Sequence, residues 1–125
     1  MHISMQETVN KQYKATHQID DSYLTISKQY EINNGGFIYT GIDNIHIPLT
    51  SVNKLLTSYE ISINMELTNI SFVDDHGEQV SILRSHELAC IMITCSDDIF
   101  DIELRTNDFD ELINQIAQVH FNVVA

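Results

Sequence analysis

The stretch Tyr23-Leu24-Thr25-Ile26-Ser27-Lys28-Gln29-Tyr30-Glu31-Ile32-Asn33-Asn34-Gly35-Gly36 decides the fold. In an extended chain successive side chains point to opposite faces, so Leu24, Ile26, Tyr30 and Ile32 share one face and Thr25, Ser27, Gln29 and Glu31 the other. The alternation stops at four residues that tolerate the positive φ of a tight hairpin turn. A second strand follows from Phe37 to Ile47, with a bend at Gly41, and ends at Pro48. Upstream, residues 1–16 are polar and without period, which predicts a flexible N-terminal arm leading into one domain over residues 17–125.

Beyond Pro48 the period changes. Val52, Leu55, Leu56 and Tyr59 recur at three and four residues, the spacing of a short helix. Ile61, Ile63, Met65 and Leu67 then alternate with Ser62, Asn64, Glu66 and Thr68, which predicts a half-buried strand running on through Ile70 and Phe72. Asp74-Asp75-His76-Gly77 supplies turn chemistry before Val80 and Ile82. Leu88–Cys95 is apolar on both faces and is expected at the centre of a sheet, covered on both sides. Ser96-Asp97-Asp98 turns the chain into a strand with Phe100, Ile102 and Leu104 on one face and Asp101, Glu103 and Arg105 on the other. Asp108 and Glu111 make a capping pair for a last helix, whose apolar stripe is Phe109, Leu112, Ile113, Ile116 and Val119. The terminal residues 119–125 stay apolar past that stripe and could add a strand. The predicted class is α+β: a mainly antiparallel sheet of about six strands, a short helix after the second strand and a C-terminal amphipathic helix.

Charge is distributed unevenly along this chain. From Asp74 onward eleven carboxylates face two arginines, a net of −9 in 52 residues, whereas the first 73 residues carry a net of −3. A hydrophobic content of 43% places that charge on a folded surface rather than in a disordered tail. The sign repels nucleic acid and anionic lipid, and the six basic residues form no stripe. No apolar run has the length of a membrane span and the first residues lack the pattern of a secretory signal, so the expected compartment is the cytoplasm. Cys90 and Cys95 lie five apart on one predicted strand, point to opposite faces and are expected as free thiols.

Catalytic chemistry finds no support in the residue pattern. No Cys-x-x-Cys or His-x-x-x-His spacing exists for zinc, and no Gly-x-Ser-x-Gly elbow for a nucleophile. The thiols sit among acids, the wrong setting for a thiolate. Asp74, Asp75 and His76, and separately Asp97, Asp98 and Asp101, coincide with turns, where Asp bonds its own backbone. The chain is therefore expected not to be an enzyme and to hold no cofactor or metal.

A net charge of −12 exceeds the roughly 2 to 8 that solubility asks of a small domain. The excess points to a basic protein partner, such as a nuclease toxin that this chain would neutralise one to one as an immunity protein does. The expected contact residues are Asp97, Asp98, Asp101, Glu103, Asp108 and Glu111, followed by Asp74, Asp75 and Glu78. Two other readings stand beside this one, the first drawing on the same carboxylates and the second on a sheet edge or the C-terminal helix. One is a phage-type DNA mimic that blocks a defence enzyme, of the anti-CRISPR or anti-restriction kind; the other is a non-catalytic adaptor or assembly subunit.

Overall fold

The computed structural model describes residues 14–124. Seven strands form two antiparallel sheets, with one helix between them in the chain and one after them. β1 (Lys14–Ile19), β2 (Tyr23–Asn34) and β3 (Phe37–Pro48) make the first sheet. A single 3-10 turn, Leu49–Ser51, leads into α1 (Val52–Asn64). β4 (Asn69–Val73), β5 (Gln79–Arg84), β6 (Leu88–Cys95) and β7 (Asp98–Arg105) follow as a four-stranded meander, and α2 (Thr106–Val124) closes the chain.

The α+β class and the antiparallel pairing are as expected, but the strands divide between two sheets rather than joining one of about six. β1 accounts for the additional strand. It takes in residues 14–16 of the predicted arm; residues 1–13 lie outside the described residues. Its inward side chains, Ala15, His17 and Ile19, include only two apolar ones, both partly buried against the core. That is too short an alternation to stand out in a sequence.

Of the predicted strand over Ile61–Phe72, residues 61–64 are the last turn of α1 and 65–68 the turn that leaves it; only the end, from residue 69, is a strand, β4. The face that α1 buries is Val52, Leu55, Leu56, Ser58, Tyr59 and Ser62, so two serines point inward while Ile61 and Ile63 sit partly exposed. Ser62 satisfies its hydroxyl by donating to the Tyr59 carbonyl one turn back, at 2.7 Å. The helix stops in a Schellman arrangement: the Leu67 N–H donates to Ser62 O at 2.9 Å and the Glu66 N–H to Ile63 O at 3.3 Å, with Glu66 in the left-handed region at φ 52°. Glycine usually takes that place, and a glutamate gives no stop signal in the sequence.

α2 also departs from expectation at both ends. It begins at Thr106, so Asp108 lies inside the first turn rather than capping it, where its charge still suits the helix dipole. Thr106 ties that start to the β5–β6 turn, its N–H donating to Glu87 O and its hydroxyl to Ser85 O. At the other end the helix continues to Val124, and the apolar terminus adds no strand. Its buried stripe is Phe109, Leu112, Ile113, Ile116 and His120; Val119 is exposed, and His120 pairs with Asn53 Oδ1 of α1 at 3.1 Å.

Both sheets turn one face toward the helices, and the buried apolar side chains form a single cluster. Leu24, Ile26, Ile45 and Ile47 come from the first sheet, Val80, Ile82, Ile91, Ile93, Ile102 and Leu104 from the second, and Leu55, Tyr59, Phe109 and Ile116 from the helices. β6 is an inner strand as expected, but only its Ala89, Ile91 and Ile93 face is fully covered. On the other face Cys90 is buried, Met92 is half-buried and Leu88 is exposed. β3 lies beside β7 without a ladder between them, and Lys28 Nζ of β2 links the two sheets by donating to Glu103 O of β7 at 2.8 Å.

Candidate partner-binding surface

Three turns meet at one end of the two sheets, and each is built by a carboxylate or presents one. In the β1–β2 turn, Asp20 Oδ1 accepts the N–H groups of Ser22 and Tyr23 at 2.7 and 2.8 Å, and these bonds hold its carboxyl below the usual carboxylate range. In the β4–β5 turn, Asp74 Oδ1 accepts the N–H groups of His76 and Glu78, both at 2.9 Å, while Gly77 supplies the positive φ of 81°. Asp75 turns outward. Its carboxylate accepts from the Thr50 hydroxyl and from Lys54 Nζ at 3.3 Å, and the Thr50 bond is the first cause of its lowered pKa. The β6–β7 hairpin is a two-residue loop closed by the Cys95–Asp98 pair, with Ser96 at φ 54° and Asp97 beside it.

Side-chain contacts join the three turns. The Tyr23 ring meets His46 edge-on at 6.0 Å and His76 at 5.7 Å, bringing the first turn against the second. The Glu78 carboxylate lies beside the Cys95 thiol, which brings the second turn near the third, and with the charge of Asp98 it pushes that thiol up. Between the first two turns lies a recess of about 450 Å³ lined by Asp20, Tyr23, Thr25, His46, His76 and Glu78. A second recess of about 310 Å³ shares His46 and Glu78 and continues over Asn44, Ile45, Ile93 and Phe100. The rim of this acidic pole carries exposed Asp20, Asp21, Asp75, Asp97 and Asp98, with Lys54 as the cation paired to Asp75.

The residues expected from the sequence fall into three places. Asp75, Glu78, Asp97 and Asp98 belong to the pole. Asp74 sits there too but is only 4% exposed; it serves the turn and cannot face a partner. Asp101 and Glu103 project from the outer face of β7, flanking Cys90, whose thiol is pushed up first by burial and then by those two charges. Asp108 and Glu111 lie at the far end of β7, beyond Arg105, about 23 Å from Asp98 by strand rise. The carboxylates brought together without having been expected are Asp20 and Asp21. Their signal was present, since Asp-Asp-Ser before an alternating run is turn chemistry.

Other chemistry has little geometric footing. With both thiols pushed up, neither ionises readily at neutral pH. Among the described residues no group of three His, Cys, Asp or Glu is arranged to hold a metal ion, and no helix is long and apolar enough to cross a membrane. Comparison with protein-family models, with curated proteins and with solved structures finds no match.

Proposed function

We propose that this chain is a small acidic binding protein that neutralises a basic protein by stoichiometric inhibition, in the manner of an immunity protein that blocks a nuclease toxin. The observation that carries the reading is the gathering of three acidic turns at one pole, beside a recess that the first two of them line. Five exposed carboxylates there attract a cationic surface from a distance, which raises the rate of encounter. The recess has a size and a lining that suit one lysine or arginine side chain, with Asp20 and Glu78 as acceptors and the rings of Tyr23, His46 and His76 as walls. The ladder of Asp101 and Glu103 along β7 extends the same sign toward the middle of the molecule.

Spacing favours a protein partner over mimicry of DNA. Asp101 and Glu103 are two residues apart, about 7 Å along the strand. A duplex carries a charge every ~1.7 Å of its axis, and the acids of this chain are far sparser.

The test is capture of partners from a lysate of the organism that encodes the chain, using the wild type and a variant carrying Asp97→Lys and Asp98→Lys as paired baits. The reading expects one basic protein held by the wild type at one-to-one stoichiometry, released by high salt and not held by the variant. Equal capture by both baits would refute the assignment of the pole.

A further inference from the structure

We infer, resting on the reading of the pole as a partner-binding surface, that an extended segment of the basic partner enters it with two side chains at once. One is a lysine or arginine and the other, two residues away, is large and apolar. The two recesses at the pole share His46 and Glu78, so one ligand can occupy both. Their chemistry differs. Asp20, Glu78 and the rings of Tyr23, His46 and His76 line the first, and among the described residues no lysine or arginine joins them. Acceptors and ring faces together suit a cation. The second, of about 310 Å³, has core residues for its floor: Ile45 and Ile93 are 2 and 4% exposed.

Phe100, at the lip of the second recess, lacks a cover. It shares a face of β7 with Ile102 and Leu104, which are buried, and stands opposite Ile93 in the ladder to β6. Yet Phe100 is 51% exposed. The apolar face of β7 runs on past the cover that this chain supplies and ends at the recess. A large apolar side chain seated there would bury the Phe100 ring and meet Ile45 and Ile93, the setting in which interface anchors sit.

Strand edges and charge select the occupant. β3 and β7 are edge strands of their sheets and both line this recess with no ladder between them, and an edge strand offers its main-chain groups to an extended segment. Side chains two residues apart in such a segment fall on one face, about 7 Å from each other, which sets them into neighbouring recesses that share a wall. The five exposed carboxylates of the rim then favour a segment carried by a cationic protein.

The probe is a capped peptide, Phe-Gly-Lys-Gly-Phe, which puts an aromatic ring two residues from the lysine on both sides and so serves either strand direction. Its control is Gly-Gly-Lys-Gly-Gly, of equal charge. Each is titrated at low salt, up to millimolar concentration, into the isotope-labelled full chain and followed by its backbone amide resonances. Saturable shifts are expected at His46, Glu78 and Phe100, with an affinity at least tenfold higher for the aromatic peptide. Phe100→Ser is expected to bring the two peptides within about twofold of one another with unchanged far-ultraviolet circular dichroism, and Glu78→Gln to weaken both peptides alike. No saturable shift, equal wild-type affinities, or a Phe100→Ser chain that keeps the tenfold preference would overturn the inference. Phenethylamine that binds as tightly as the aromatic peptide would overturn it too, and would assign the recesses to a small organic cation. The reading of the pole fails separately, when the Asp97→Lys, Asp98→Lys bait captures as the wild type does.

Discussion

Arg84→Met should cost this protein about 2 kcal/mol, because Arg84 ties the inner face of β5 to the first turns of α2. Its Nη2 donates to Asp110 Oδ2 at 2.7 Å and its Nε to Oδ1 at 3.3 Å, a two-pronged contact between side chains each 26% exposed. Asp110 is also near enough to the Tyr59 phenol of α1 to raise its pKa, so three elements meet around one carboxylate. Breaking a buried ion pair costs about 3–5 kcal/mol and an exposed one about 0–1. A quarter-exposed pair with charge-assisted bonds falls between, near 2 kcal/mol. For a chain of this size that lowers Tm by about 8 °C. Methionine keeps the apolar stem, so the loss reports the guanidinium. The assay is a double-mutant cycle of Arg84→Met and Asp110→Asn by urea denaturation, with an expected coupling above about 1 kcal/mol. A coupling below about 0.5 kcal/mol would mean that the pair is a solvated surface contact, and the reasoning would fail.

Four further outcomes follow from the same geometry. Burial, then the nearby Asp110 carboxylate, pushes the Tyr59 phenol well up from its ordinary 10.0, so the folded state holds that proton more tightly than the unfolded one. Stability should therefore be lost as pH rises above about 10, and Tyr59→Phe should flatten that limb of a denaturation series. At the acid end, Asp20 and Asp75 are held below 3.8, so the stability they lend is present above that value and lost as pH falls through their folded pKa; Asp75→Asn should reduce the acid sensitivity seen in urea midpoints. Glu66→Gly should raise stability by about 1 kcal/mol by relieving the left-handed φ of 52° at the end of α1, and an unchanged or lower midpoint would count against that helix end. Asp74→Ala should cost about 1–3 kcal/mol by stripping the acceptor from two backbone N–H groups, while Asp97→Ala, exposed in the next turn, should change stability by less than about 0.5 kcal/mol.

Elements whose periodicity matched their burial could be read from the sequence, and those whose periodicity ran against it could not. β2 and β3 could be read because Leu24 and Ile26, and Ile45 and Ile47, alternate with polar residues where the strands meet the core, and the Asn-Asn-Gly-Gly turn punctuates them. α1 misleads because Ser58 and Ser62 occupy inward positions while Ile61, Ile63, Met65 and Leu67 lie outside the core. The resulting alternation imitates a strand, and no glycine marks the stop. β1 is short and carries His17 on its inward face. The acids of the second half were recognisable as a charge excess, but their grouping depends on which strand ends share a side. Antiparallel register puts the β4–β5 and β6–β7 turns together, and the Tyr23–His76 contact adds the β1–β2 turn with Asp20 and Asp21. The same register moves Asp108 and Glu111 to the other end. No sequence period carries that information, because it is set by pairing between strands and not along them.

The most direct measurement is the association rate between this chain and the basic protein it captures, followed by stopped flow as salt rises from low to physiological strength. The account predicts a rate that falls at least tenfold across that range for the wild type, and one that starts low and stays nearly flat for the Asp97→Lys, Asp98→Lys variant. A rate indifferent to salt, or a variant that associates as fast as the wild type, would contradict the claim that the acidic pole finds the partner.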